Sequence, residues 1–97
     1  MELEKVAKAL KELGHPARLS IFKILVKSGH DGLPVGSLAE KLKMPNSTLT
    51  HHLSGLIRAG LIEQQRDGKI LYCVPQYEML EGVISFLQDE CCSDVNS

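Results

Sequence analysis

The sequence predicts a single, mainly α-helical (α+β) domain over its 97 residues, and three observations predict it. Amphipathic stretches of helical period recur along the chain. Two short ones stand side by side within 35–60, parted only by Lys43-Met44-Pro45. Directly after them, LIEQQRDGKILYCV at 61–74 places two β-prone runs around Asp67-Gly68, a strong short-range hairpin signal. Helix, tight turn, helix and hairpin is the layout of a winged helix-turn-helix. The expected order is four helices, two strands and a fifth helix.

In LEKVAKALKEL at 3–13, Leu3, Val6, Leu10 and Leu13 form one stripe, with Lys and Glu elsewhere. Gly14 ends this helix, and Pro16, whose missing N–H costs nothing in a first turn, opens the second. That helix, PARLSIFKILVKS, is the most apolar, and Leu19, Phe22, Ile24, Leu25 and Val26 make it the core helix. Gly29-His30-Asp31-Gly32 is a turn cluster. The third helix runs from Val35 to Leu42 with Leu38, Ala39 and Leu42 inward. Pro45 cannot continue it but suits the start of the fourth, Asn46 to Ala59. The buried face of that helix is Leu49, Leu53, Leu56 and Ile57, and Gly60 stops it. From Gln76 to about Glu90, a last helix gathers Met79, Leu80, Val83, Ile84 and Leu87 on one side, and 91–97 is a polar tail. With two Phe, two Tyr and no Trp, the core must be aliphatic.

The outer face of the fourth helix carries Asn46, Ser47, Thr48, Thr50, His51 and Arg58, short hydrogen-bonding groups and a cation with no acid among them. Such a face suits base edges in a DNA major groove. Arg66 and Lys69 flank the hairpin tip and are placed to meet phosphates or a minor groove. The net charge of −1 conceals an asymmetry: residues 16–72 hold eight Lys and Arg against four acids, whereas 73–97 hold five acids and no base. The expected partner is double-stranded operator DNA, approached electrostatically. A winged module for protein contacts is the rival reading, and the charge asymmetry argues against it. Nothing positions a cysteine and a histidine as nucleophile and base, and no Gly-rich phosphate loop is present, so neither enzymatic activity nor a required cofactor is expected.

The opening MELEKVAKAL has acids where a secretory signal has bases, and no apolar run approaches membrane-spanning length, so a cytoplasmic location without membrane contact is expected. Three cysteines, two of them adjacent, fit a reducing compartment. The terminal helices, 1–14 and 76–90, carry more apolar surface than so small a unit can cover. They are expected to pair with their copies in a homodimer through Leu3, Val6, Leu10, Val83, Ile84 and Leu87, setting two reading helices one turn of DNA apart.

Over nearly its whole length the chain resembles the ArsR/SmtB family of bacterial metal-sensing repressors. LGHPARLSIFKIL at 13–25, STLTHHLSGLIRAGLIEQQRDGK at 47–69 and the two terminal helices carry the likeness. The resemblance implies a homodimer that represses from an operator until an inducer loosens it, with the terminal helices as the dimer interface. Two familiar inducer sites of that family are missing. The third helix opens Val35-Gly36-Ser37-Leu38-Ala39 without a cysteine, and the last helix has no histidine. Cys91-Cys92 remains, as in some family members with adjacent cysteines near the end of the last helix, together with Cys73 as a further ligand or a small core residue.

Vicinal thiolates suit a soft centre such as As(III) or Sb(III). Neighbouring side chains on an ideal helix diverge by about 100°, so the helix end must open for both to share one atom. Redox or persulfide sensing by the same pair is the alternative. His51 and His52 are adjacent and cannot share one metal, so one is expected to face DNA and the other to pack or face solvent. His15, at a helix junction, and His30, in a turn, are expected to play local structural roles.

Overall fold

Punctuation by proline, glycine and capping groups decides where the helices lie in the computed structural model, which describes residues 1–95. Asn96 and Ser97, the end of the expected polar tail, lie outside the described residues. The helices are α1 (Leu3–Leu13), α2 (Pro16–Ser28), α3 (Val35–Leu42), α4 (Asn46–Arg58) and α5 (Tyr77–Gln88). The strands are β1 (Leu33–Pro34), β2 (Ile62–Asp67) and β3 (Ile70–Pro75). His15 Nδ1 accepts the Ala17 N–H at 3.2 Å and caps α2, with Pro16 at the first helical position. α3 ends on Lys43 in the left-handed region (φ 52), and the following Met44 N–H donates to the Ala39 carbonyl at 3.1 Å. Lysine holds there a conformation that costs a non-glycine residue about 1–2 kcal/mol, which fixes the tight turn into α4.

The expected architecture is present with one strand more than expected. β1 pairs antiparallel with β3, Leu33 opposite Cys73 and Pro34 opposite Tyr72, and the sheet order is β1-β3-β2. β2 and β3 form the hairpin, with Gln64 opposite Cys73 and Asp67 opposite Ile70. Gly32 makes the third strand possible. At φ +70 it lies so close to β3 that a Cβ there would collide with the Cys73 carbonyl.

The core is aliphatic: Val6 and Ala9 from α1, Ile21, Phe22 and Leu25 from α2, Leu38 from α3, Leu49, Leu53 and Leu56 from α4, and Met79 and Val83 from α5. Each fully buried Leu contributes about 2 kcal/mol of transfer free energy. Some residues face otherwise than expected. On α1 the buried stripe is Val6, Ala9 and Glu12, while Leu3 and Leu10, expected at a subunit face, are 68% and 40% exposed. Leu19 of α2 and Ile57 of α4 are also exposed, and His52 and Gly55 fill the rear of α4 beside its three leucines. α5 stops at Gln88 rather than near Glu90. Its start is tied down by Tyr77, whose hydroxyl donates to the Val26 carbonyl at 2.7 Å. α1 packs against α2, α4 and α5. No described helix is long and apolar enough to cross a membrane.

Candidate functional site

α4 presents two chemically different faces because its residues alternate at helical period between leucine and short polar groups. Leu49, Leu53 and Leu56 are fully buried and hold the helix against the core. Asn46, Ser47, Thr48, Thr50, His51 and Arg58 are all exposed. Pro45 precedes the helix as its cap and no side chain bonds the first-turn N–H groups, so the polar N-terminal turn is open. Ser54, absent from the sequence-based set, extends this face between His51 and Arg58 at helical spacing. Its hydroxyl donates to the Thr50 carbonyl at 3.0 Å. The hairpin tip carries Arg66 and Lys69 on either side of Asp67-Gly68, all exposed, with Gly68 at φ +64 making the turn. The tip lies beside the start of α3, since Arg66 and Lys69 border the same hollow as Pro34, Val35 and Gly36.

Behind α4 lies a polar cluster that the hydrophobic pattern did not reveal. Glu12, in the last turn of α1, and His52 are buried. Arg18 Nη1 stands 2.9 Å from Glu12 Oε1 as a charge contact. Neither that oxygen, Arg18 Nε nor His52 Nδ1 makes an aligned hydrogen bond. Gly55 leaves room for the pair, since a Cβ there would strike the Glu12 carboxylate. The ring of His52 lies 4.9 Å from that of His15 and 5.8 Å from that of His51. Burial first, then the charges of His15, Arg18 and His51, hold the His52 pKa below its ordinary value. Thus His51 faces out and His52 packs. His30 meets Tyr77 edge-on at 4.7 Å. A glycine within a helix and a glutamate on the buried side of α1 were the available signals.

The three cysteines divide into two environments. Cys73 is fully buried in the central strand, its Sγ 3.9 Å from Gln64 Nε2, and burial pushes its thiol pKa up. Among the described residues no three His, Cys, Asp or Glu side chains come together as a metal-binding group, so Cys73 does not join the other two within one chain. Cys91 and Cys92 are exposed, with sulfurs 3.4 Å apart. They converge because the chain leaves α5 through Glu90 (φ 57) and Cys92 (φ 64), both left-handed, instead of continuing as a helix.

Of the residues expected between subunits, Leu3, Leu10, Ile84 and Leu87 are exposed in the single chain. Val6 and Val83 are corrected: at 1% and 4% exposure they are covered by the chain's own core, leaving a partner nothing to cover.

Relatives of known type share this arrangement. A family model described as a helix-turn-helix domain matches residues 13–65. The transcriptional repressor PagR of Bacillus anthracis is 36% identical over 87 residues, 90% of this chain and 85% of its own length. The crystal structure of PagR superposes with a TM-score of 0.71 at 35% identity, over 88% of this chain and 94% of that one. An ArsR-like transcriptional regulator from Rhodococcus sp. RHA1 shares the fold with a TM-score of 0.77 at 22% identity, covering 88% and 77%. So does Mb0332 from Mycobacterium bovis, a homodimeric winged helix-turn-helix DNA-binding domain, with a TM-score of 0.73 at 24% identity, covering 98% and 89%.

Proposed function

The chain belongs to the ArsR family of winged helix-turn-helix transcriptional regulators, and we propose that it is a homodimeric repressor released from its operator when Cys91 and Cys92 bind a trivalent metalloid. The exposed polar face of α4 supports major-groove recognition, and Arg66 and Lys69 support a backbone or minor-groove contact by the wing. Uncovered Leu3, Leu10, Ile84 and Leu87 support pairing of α1 and α5 with their copies, and Mb0332 is a homodimeric neighbour.

The observation that carries the inducer is the 3.4 Å approach of the two sulfurs. Bonds of about 2.3 Å, a metal–thiolate length, meeting near a right angle put two sulfurs about 3.3 Å apart. Arsenite then exchanges two hydroxyls for the two cysteine sulfurs, the two thiol protons leaving with those hydroxyls as two waters, with no change of oxidation state. Its third position keeps a solvent oxygen or takes a small-molecule or other thiol ligand. A disulfide between the same residues fits less well. Consecutive Cα atoms across a trans peptide lie about 3.8 Å apart, short of the roughly 4.4–6.8 Å that disulfides span. Closing a chelate just beyond α5 alters the chain that follows its last turn, which carries Leu87, and a coupling of about 1–3 kcal/mol suffices to vacate much of an operator. The test is arsenite-driven release of operator DNA by the parent and by Cys91→Ser, Cys92→Ser under reducing conditions. Release confined to the parent is expected, with DNA binding before arsenite unchanged in the variant. Equal release in both, or none in the parent, removes the metalloid.

A further inference from the structure

Glu12 and His52 are the buried polar or charged side chains among the described residues, and with His15 and Arg18 they join the rear of α4 to the α1–α2 hinge. We infer that His15 and His52 are positioning residues that make operator binding proton-dependent: α4 keeps its seat on the hinge only while both imidazoles are neutral. The inference rests on α4 being the reading helix.

His15 caps α2 by accepting the Ala17 N–H at Nδ1, and an imidazolium has no acceptor there, so protonation removes the cap. His52 is buried 4.9 Å from the His15 ring, with no hydrogen-bond partner at Nδ1. The charged and titratable groups around it are Glu12 from α1, His15 from the hinge, Arg18 from α2 and His51 from its own helix. Those of α3 and β2 (Glu40, Lys41, Glu63, Arg66 and Asp67) are exposed to solvent. Protonating exposed His15 and buried His52 therefore sets two further cations around Arg18, with Glu12 as the one carboxylate, already engaged. Because His52 is held below its ordinary value of 6.5, its contribution to the fold is complete above that pH and is lost as pH falls below it.

His51 works in the opposite sense. It is exposed on the reading face, where an added positive charge attracts phosphates, so a helix governed by His51 alone binds DNA more tightly on acidification. The sign of the pH dependence thus separates the two.

The experiment uses a fluorescent duplex that the protein itself selects from a random library near pH 7.5, with affinity followed down to about pH 5.5 at fixed ionic strength. Amide exchange of residues 49–56 is measured in the free protein over the same range. The parent is expected to lose about tenfold in affinity, together with protection in α4. In His15→Asn, His52→Gln, where Asn caps without titrating, both should persist. Should that pair fail to fold, His15→Asn alone is expected to retain part of both. Tighter binding by the parent at low pH, or equal loss in the variants, overturns the inference. If no duplex is selected, the reading-helix assignment fails separately, and α4 protection that ignores pH in the parent still overturns the hinge.

Discussion

Helices α4 and α5 each bury one side and expose the other, yet what they expose differs in kind. α4 seals Leu49, Leu53 and Leu56 and shows hydroxyls, an imidazole and a guanidinium. α5 seals Met79 and Val83 but leaves Ile84 and Leu87 46% and 61% exposed, then runs into two open thiols. The polar face of α4 is thus built within one chain, whereas the far end of α5 keeps apolar and thiol groups uncovered, where the proposed function places a second copy and an inducer. An apolar face left uncovered points to association; a polar one is at home in water.

The largest effect that could break this contrast comes from placing a charge on each helix. Leu53→Glu is expected to unfold the protein, since a desolvated, unpaired carboxylate costs several kcal/mol. Leu87→Glu should leave a folded monomer, as circular dichroism and sedimentation at micromolar concentration would show. Unfolding by Leu87→Glu, or a parent that sediments as a monomer, contradicts the assignment of the α5 face.

A subtler pair sharpens the same point, because each helix carries one interior glycine. At Gly55 an added methyl meets the buried Glu12 carboxylate, and at Gly82 it meets only the flexible end of Met1. Alanine gains up to about 1 kcal/mol over glycine in a helix, against an overpacking cost of about 1–3 kcal/mol where neighbours cannot yield. Gly55→Ala should therefore lose about 1–2 kcal/mol in urea denaturation, and Gly82→Ala should be neutral or gain a few tenths. Equal shifts would mean that the polar cluster behind α4 gives way as easily as the Met1 side chain.

These contrasts also mark what sequence could convey. The bounds of α1, α2 and α3 were legible because Gly14, Pro16, Gly29 and Pro45 punctuate them. The hairpin was legible from Asp67-Gly68. β1 was not, since two residues have no period and its cause is the approach of Gly32 to Cys73 across the fold. The α1 stripe was legible as a stripe, but not which edge its own chain covers. That edge is fixed by Gly55, which admits Glu12 and turns Leu10 outward. The thiol pair was legible as a pair. Its convergence depends on two left-handed residues, Glu90 and Cys92, neither of them glycine, and no residue-type signal marks them.

The smallest effect concerns the wing. Arg66→Gln, Lys69→Gln should weaken binding to all sequences alike and lower the slope of log affinity against log salt by about 2, one for each lost phosphate contact. An unchanged slope would take the wing off the DNA.

The polar face of α4 as the reading surface is tested most directly by operator affinity in Thr50→Ala, His51→Ala. Both side chains are exposed, so the variant should fold and dimerise as the parent does. Specific binding is expected to fall by about 1–3 kcal/mol per lost base contact while non-specific binding holds. A folded, dimeric variant with the parent's operator affinity would show that this face does not read the DNA.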